Sequence, residues 1–189
     1  NDSPLAGASV IVGVTGSIAA YKAAYLVSRL KQDGADVLTV MTADATRFVA
    51  PLTYQALSGN PVFTDMFERE KEFNPRHISL ARRADLIAVA PATADFIGKI
   101  AAGRADDLLS AVIMAYRGPV LIAPAMNAAM FSNPIVRENI EKLNTHGYCL
   151  IGPESGQLAC GDEGAGRMSE PEVIAAEIKA ALEKRGAAD

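Results

Sequence analysis

The sequence predicts a doubly wound α/β domain built on a parallel sheet, and three observations support this fold class. Short apolar runs rich in β-branched residues recur along the chain, as expected for strands buried on both faces. Longer stretches with helical spacing separate them, so strands and helices alternate. The length of 189 residues suits one domain, which would bury roughly 70% of its extended-chain surface. We expect one Rossmann-like domain over residues 1–189, with an ordered core at about 8–185 and frayed tails at residues 1–7 and 186–189.

The predicted strands are short and almost wholly apolar. The first, at residues 9–15, contains three valines and an isoleucine and leads into a glycine-serine turn. Such continuous apolar runs are typical of parallel strands that have helices on both sides. Further strands are predicted at residues 37–41, 86–90, 120–123 and 148–151.

The predicted helices have recognisable ends. The first runs from Ile18 to Gln32 and stops at Asp33-Gly34, where glycine would serve as the C-cap. The last, Pro171 to Lys184, starts with glutamates and ends in basic residues, as the helix dipole favours. After the second strand, Thr42 or Asp44 is placed to cap a helix. Other helices are predicted at residues 94–102, 106–116 and 134–146.

Charge and composition exclude several functional classes. A net charge of −4 without blocks of lysine or arginine argues against binding to nucleic acid or to an anionic membrane. No apolar run is long enough to span a bilayer, and the residues before the first strand are not expected to act as a signal peptide. Two cysteines in a chain of this size favour the reducing cytoplasm over a disulfide scaffold. The cysteines and the two histidines lack paired spacing, so no metal site is expected.

The unusual loops of the chain each follow a predicted strand. They are Gly16-Ser17, Thr42, residues 91–93 and residues 124–130. Ligands of doubly wound sheets bind at the carboxyl ends of the strands. The sequence therefore predicts a ligand site at this edge. Residues 60–76 form the one long irregular connection, and long loops in compact domains are often functional.

The first of these loops, Gly13-Val-Thr-Gly16-Ser17, is close to a dinucleotide fingerprint but departs from it. The third glycine of G-x-G-x-x-G is missing, and Met41-Thr42 stands where an acid would bind ribose. Backbone amides at the helix start and the Ser17 hydroxyl suit a mononucleotide phosphate better. A tight strand–helix turn without a ligand is the alternative.

Three loop residues are candidates for chemistry. Cys160 lies in the glycine-rich run 158–168, which has no regular period and suggests a flap over a ligand. Asn127 follows a buried strand, where its amide would bind a carboxylate or carbonyl, cap a helix, or do both. His77 is the third, although a lone histidine is more often a cap or surface residue. Cysteine, asparagine and histidine on three separate loops indicate an enzyme.

The second cysteine and the second histidine are assigned structural roles. Cys149 stands in the apolar run Tyr-Cys-Leu-Ile and is predicted to be a small core residue. His146 lies at a predicted helix C-terminus, where an imidazolium interacts favourably with the dipole.

Taken together, these motifs resemble the flavin-dependent cysteine decarboxylase family over about residues 8–180. Its most specific motifs are residues 124–130, which we call the asparagine loop, and residues 158–168, which we call the cysteine flap. A tryptophan or tyrosine commonly follows the last methionine of the asparagine loop, whereas Phe131 stands here and offers no polar group. The resemblance rests on Gly13-Val-Thr-Gly-Ser-Ile-Ala-Ala-Tyr-Lys22, His77, Ala90-Pro-Ala-Thr-Ala-Asp95, Asp106-Asp-Leu-Leu-Ser110, Pro124-Ala-Met-Asn-Ala-Ala-Met130 and Ala159-Cys-Gly-Asp-Glu-Gly-Ala-Gly-Arg-Met168.

The resemblance implies an FMN-dependent enzyme of coenzyme A biosynthesis. Its substrate would be 4′-phosphopantothenoylcysteine, converted to 4′-phosphopantetheine through thioaldehyde and enethiol intermediates. Family members are homo-oligomers, trimers or dodecamers, with flavin sites at subunit interfaces. Bacterial relatives often carry this domain ahead of a phosphopantothenate–cysteine ligase, and residues 184–188 resemble the start of a linker. The sequence is compatible both with a complete protein and with the excised N-terminal half of a longer one.

The resemblance also implies residue roles. His77 would be the base or proton carrier of the oxidative half-reaction, in which the thiol becomes a thioaldehyde. Asn127 would hold the substrate carboxylate. Cys160 would be the acid of the reductive half-reaction, in which the enethiol becomes the product. The substrate would further contact Met130, Gln157, Leu158 and Ala159, the last three as parts of the flap. FMN would be bound by Gly16, Ser17, Ile18, Thr42, Thr93, Ala94, Asp95 and Ala115.

Three other functions compete with this interpretation. A peptidyl-cysteine decarboxylase of lantibiotic maturation stops at the enethiol, but such relatives typically lack the cysteine flap. A flavin prenyltransferase has a related fold and would not need the asparagine loop. A flavin-binding regulatory subunit would need no turnover, which makes the presence of all three candidate residues unexpected.

Overall fold

The computed structural model describes residues 5–67, 75–157, 161 and 163–186, and shows a parallel sheet covered by helices on both faces. The strands of this sheet are β1 (Ser9–Val14), β2 (Asp36–Met41), β3 (Val62–Phe63), β4 (Leu86–Ala92), β5 (Val120–Pro124) and β6 (Cys149–Leu150). Their order is β3-β2-β1-β4-β5-β6, and all adjacent pairs are parallel. The chain direction across the sheet reverses between β1 and β4, and such a switch point opens a crevice at the carboxyl ends of the strands.

The helices lie on both faces of the sheet and connect its strands. They are α1 (Ala20–Gln32), α2 (Pro51–Ser58), α3 (Arg76–Arg83), α4 (Ala94–Ala101), α5 (Leu108–Ala115), α6 (Ala128–Ser132), α7 (Pro134–Thr145) and α8 (Pro171–Gly186), with a 3₁₀ turn at Ala45–Arg47.

Successive side chains along a strand point to opposite faces of the sheet, so the core consists of two layers. On β1, Val10 and Val12 face the layer formed with α1, α2 and α8. Ile11 faces the opposite layer, formed with α3, α4, α5 and α7. Each strand of the central pair is thus apolar on both faces, and the predicted doubly wound parallel sheet is confirmed.

The predicted irregular connection at residues 60–76 contains more structure than its sequence indicated. β3 pairs with β2, and α3 begins at Arg76; residues 68–74 lie outside the described part. α2 precedes it, with Pro51 in its first turn and Gly59, at φ 75°, as its C-cap. After β2, the Thr42 hydroxyl accepts a hydrogen bond from Ala45 N at 3.4 Å, whereas the Asp44 side chain makes no cap bond.

The glycine-rich run predicted to lack a regular period contains a strand. β8 (Glu163–Arg167) pairs in antiparallel fashion with β7 (Glu154–Gln157), and this hairpin is separate from the main sheet. Glycine at alternate positions of β8 hides the usual alternation of side chains, which is why the period was not visible.

Two predictions about burial are wrong. Cys149 is exposed rather than part of the core, because β6 is the edge strand of the sheet. Leu5, placed in the frayed tail, is 1% exposed and packs in the core layer that contains α1. His146 does cap the C-terminus of α7, as predicted.

Candidate functional site

A large cleft opens at the carboxyl ends of β1, β2, β4 and β5, next to the switch point of the sheet. Its volume is about 1140 Å³. The loops that form it are those after each of these strands, together with the β7–β8 hairpin. The predicted position of the ligand site, at this edge of the sheet, therefore coincides with a real cavity.

Free backbone donors occupy one end of the cleft. The amides of Gly16 and Ile18 donate no hydrogen bond within the described part of the chain. The Ser17 hydroxyl accepts from Ala19 N at 3.3 Å, and the first turn of α1 has no acidic residue. A Cβ atom on Gly16 would lie 2.6 Å from Asp44 Cβ, so a side chain does not fit there. Unpaired amides at a helix N-terminus suit a phosphate group.

A buried hydroxyl joins two loops at the floor of the cleft. Thr15, which is 1% exposed, donates from Oγ1 to the Pro91 carbonyl at 2.8 Å and accepts from Thr93 N at 3.0 Å. The Thr93 hydroxyl in turn accepts from Phe96 N at 3.3 Å and caps α4. The turn after β4 is therefore fixed to the end of β1.

The asparagine loop forms another wall of the cleft. Asn127 caps α6 by accepting a hydrogen bond from Ala129 N at Oδ1, at 2.7 Å. Met126 N donates to the Gly166 carbonyl at 2.9 Å, and any side chain on Gly166 would overlap the Met126 carbonyl. Close backbone contact thus holds the hairpin against the asparagine loop, and both predicted interpretations of Asn127, cap and cleft residue, fit its position.

An ion-pair network lies where the hairpin meets α1. Lys22 is largely buried and donates to Glu170 Oε1 at 2.9 Å and to the Met168 carbonyl at 3.3 Å. Arg167 pairs with the same carboxylate. The Lys22 ammonium and then the Arg167 guanidinium hold the pKa of Glu170 below its usual value. This network places two cations and one anion on the cleft wall.

A second polar cluster lines the cleft between α4 and α5. Lys99 Nζ lies 2.6 Å from Asp107 Oδ2 and 3.0 Å from Asp106 Oδ1. Burial lowers the pKa of Lys99, but the bonds to Asp107 and Asp106 outweigh this and raise it overall. Asp107 also accepts from Ser110 N at 2.8 Å, so the start of α5 is held by the same carboxylate.

Most of the predicted site residues are brought together in the cleft. Those that line it are Gly16, Ser17, Ile18, Thr42, Thr93, Ala94, Asp95, Asn127, Met130 and Gln157. Leu158, Ala159 and Cys160 lie outside the described residues. His77 is half-buried on α3 and does not line the cleft of its own chain, and Ala115 instead lines a second hollow beside Ile78.

Apart from Asp95, the sequence prediction assigned no binding role to the charged residues of the cleft, above all Lys22, Lys99 and Asp107. Lys22 carried a usable signal, because it lies four residues before Leu26 on the apolar face of α1, where a charge breaks the pattern. In the described part of the chain no cluster of three histidine, cysteine or acidic side chains could hold a metal ion. None of the described helices has the length and apolar character needed to cross a membrane.

Known proteins resemble this chain in sequence and in fold. A family model described as Flavoprotein matches residues 1–183. The coenzyme A biosynthesis bifunctional protein CoaBC of Bacillus subtilis (strain 168) is 52% identical over 166 residues, which cover 88% of this chain and 41% of that protein. The chain therefore spans about two fifths of the length of the curated relatives it matches.

Two solved structures have the same fold over almost their whole length. A PPC decarboxylase mutant complexed with pantothenoylaminoethenethiol has a TM-score of 0.83 and 32% identity, with 94% of this chain and 99% of that chain covered. The FMN-dependent cysteine decarboxylase SpaF also has a TM-score of 0.83 and 32% identity, with 96% and 99% covered.

Proposed function

The chain belongs to the flavoprotein family, and from this premise we propose that it binds FMN and decarboxylates 4′-phosphopantothenoylcysteine to 4′-phosphopantetheine. One observation carries the proposal. The cleft at the switch point combines unpaired amides with Asn127, in a chain 32% identical to PPC decarboxylase over 94% of its length. The identity of 52% to a coenzyme A biosynthesis protein supports the same substrate.

The residues of the cleft fit FMN better than a dinucleotide. The unpaired amides of Gly16 and Ile18, with the Ser17 hydroxyl, would hold the phosphate. Thr42 stands at the end of β2 in place of the acid that binds the ribose of a dinucleotide. The remaining predicted contacts along the ribityl chain and ring are Thr93, Ala94 and Asp95, which line the same cleft.

Decarboxylation of the cysteinyl group needs an electron acceptor. Direct loss of carbon dioxide from a cysteinyl carboxylate would leave a carbanion with no electron sink. Bound FMN supplies reversible acceptance of a hydride. Oxidation of the thiol to a thioaldehyde places an electron-accepting group beta to the carboxylate, so that breaking the carbon–carbon bond releases carbon dioxide and leaves an enethiol. Addition of a hydride and one proton to the enethiol would give the saturated product with no net change in redox state.

We assign the two ends of this reaction sequence to Asn127 and to the segment between β7 and β8. We assign Asn127 to the substrate carboxylate, with Met130 and Gln157 as neighbouring contacts. Cys160 would protonate the enethiol carbon in the reductive half. It follows directly after Leu158 and Ala159, all three outside the described residues.

His77 requires a second copy of the chain. As the base or proton carrier of the oxidative half it must reach the substrate, yet it does not line the cleft of its own chain. We therefore propose a homo-oligomer in which His77 and Ala115 of one copy face the cleft of the next. This agrees with the expected trimer or dodecamer with flavin at the interfaces.

The test is anaerobic incubation of the flavin-loaded protein with 4′-phosphopantothenoylcysteine, followed by mass spectrometry. Loss of carbon dioxide alone supports the complete cycle, and Cys160→Ser should then accumulate the enethiol. The similarity to SpaF, an FMN-dependent cysteine decarboxylase, supports a second candidate in which the chain decarboxylates a different cysteinyl substrate. We take the peptidyl cysteine considered above as that substrate. That activity predicts loss of carbon dioxide plus two hydrogens. Bound flavin without turnover on either substrate would refute both.

A further inference from the structure

Lys22 carries a largely buried charge that the proposed chemistry does not use. Its side chain is 11% exposed and lies in the first turn of α1. A buried ammonium is tolerated only where it is paired and hydrogen-bonded, so its partners indicate what it does. They are the Glu170 carboxylate at 2.9 Å and the Met168 carbonyl at 3.3 Å, both just beyond the end of β8. Lys22 therefore links α1 to the β7–β8 hairpin.

The end of β8 is also attached to the asparagine loop. Met126 N donates to the Gly166 carbonyl at 2.9 Å. Gly166 and Met168 are two residues apart in the chain, so at most roughly 7 Å separates them. A short piece of backbone thus joins the residue held by the Lys22 ammonium to the amide that directly precedes Asn127.

Both arms of the hairpin converge on Glu170. Its carboxylate pairs with Lys22 and with Arg167 of β8, and its backbone N donates to Glu154 Oε1 of β7 at 3.3 Å. The two cations differ in what they join. Arg167 is three residues from Glu170 and 43% exposed, so its ion pair stays within one segment. The Lys22 pair instead joins residues 148 positions apart.

We propose that Lys22 is a positioning residue, which holds the asparagine loop at a fixed place relative to α1 through the end of β8. The inference rests on the proposed function, in which Asn127 binds the substrate carboxylate and the turn before α1 holds the flavin phosphate. Loss of the ammonium leaves that turn intact, because its backbone bonds do not involve the side chain of Lys22. It releases β8 and with it the support of the Met126 amide. Substrate binding should therefore weaken, and flavin binding should not.

Amide hydrogen exchange, resolved to single residues on the flavin-loaded protein, tests the position of the loop without any turnover. The Met126 amide depends on β8, whereas the adjacent Ala125 amide donates to the Ala92 carbonyl of the sheet at 2.9 Å. Lys22→Met keeps the length and the apolar stem of the side chain and removes the charge. We expect it to raise the exchange rate of Met126 relative to that of Ala125 roughly tenfold. A general loss of stability would speed both amides alike.

Arg167→Gln is the matched control, because it removes a cation that pairs with the same carboxylate but does not join β8 to α1. It should change the ratio of the two exchange rates by less than about twofold. Glu170→Gln tests the link from its other end and should raise the ratio several-fold, which also decides the question if Lys22→Met does not fold. An unchanged ratio in Lys22→Met, or an equal rise in Arg167→Gln, would overturn the proposal.

Steady-state kinetics with 4′-phosphopantothenoylcysteine separate positioning from direct contact. A positioning role predicts that Lys22→Met lowers kcat/KM roughly tenfold and changes the flavin dissociation constant by less than about twofold. The double variant with Glu170→Gln should lose about as much as Lys22→Met alone. If Lys22 touched the substrate itself, the two losses would multiply and the more exposed Arg167 would matter at least as much, which would overturn the proposal. A wild type without turnover would refute the proposed function, and the exchange experiment would still decide the role of Lys22.

Discussion

The buried hydroxyl of Thr15 provides a sharp test of how the cleft is held together. Replacing Thr15 by valine keeps the shape of the side chain and removes one oxygen atom. That atom donates to the Pro91 carbonyl at 2.8 Å and accepts from Thr93 N at 3.0 Å. The variant therefore leaves a carbonyl and an amide unpaired at a position that is 1% exposed, where water does not reach.

The expected cost follows from these two groups. Leaving one buried polar group without a partner destabilises a protein by about 1 to 3 kcal/mol, so we expect Thr15→Val to lower the free energy of unfolding by about 2 to 4 kcal/mol.

The chain contains a matched control on the neighbouring strand. Thr39 in β2 is fully buried, and its hydroxyl has no hydrogen-bond partner among the described residues. Thr39→Val removes the same atom but breaks no bond. We expect it to be neutral or to stabilise by up to about 1 kcal/mol, because an unpaired hydroxyl is relieved.

Both variants are measured by urea unfolding of the flavin-free protein at one fixed protein concentration, so that any oligomerisation contributes equally. Thr15→Ser, which restores the hydroxyl and loses a methyl group, should recover most of the loss. If Thr15→Val and Thr39→Val differed by less than about 0.5 kcal/mol, the bridging role of the Thr15 hydroxyl would be refuted. A separate flavin titration should show weaker binding for Thr15→Val, since Thr93 is a proposed cofactor contact.

Three further outcomes are expected. Gly16→Ala should weaken flavin binding by the flavin-free protein in a fluorescence titration, because the new Cβ would lie 2.6 Å from Asp44 Cβ and displace the loop at residues 16–18 that we propose holds the flavin phosphate. Glu170→Gln should lose stability at neutral pH, and its deficit should shrink as the pH falls below about 4.5. The reason is that Lys22 lowers the folded-state pKa of Glu170, so the wild type loses this stabilisation on acidification; urea unfolding across pH measures it. His77→Asn should abolish product formation while the protein keeps its flavin, and full activity of this variant would contradict the assignment.

The sheet could be predicted from the sequence because each central strand is apolar on both faces. Residues 10–14 and 86–90 have no polar position that would suggest a solvent-facing side, and that pattern belongs to parallel strands. Strand ends were also visible, so the cleft loops could be placed at one edge before their geometry was known. β3, with two residues, is too short for a period to appear.

Tertiary context decided the features that could not be predicted. Cys149 is as apolar in sequence as its neighbours, but its strand lies at the sheet edge, and edge position depends on the order of distant segments. The pairing of Lys22 with Glu170 joins residues 148 positions apart. Asn127 and Gly16 were recognisable because special loops need particular residue types, whereas the location of His77 relative to the cleft depends on how whole elements pack.

The attachment of the β7–β8 hairpin has a consequence for how such proteins diversify. The hairpin contributes no strand to the six-stranded sheet, and Gly164 and Gly166 bring its backbone against Ala128 and Met126. Its arms could therefore be exchanged for those of a relative without altering the register of any buried strand. In the proposed mechanism Cys160, which lies between β7 and β8 in the sequence, acts in the last step, so a change confined to this segment would alter how the reaction ends and leave the sheet unchanged.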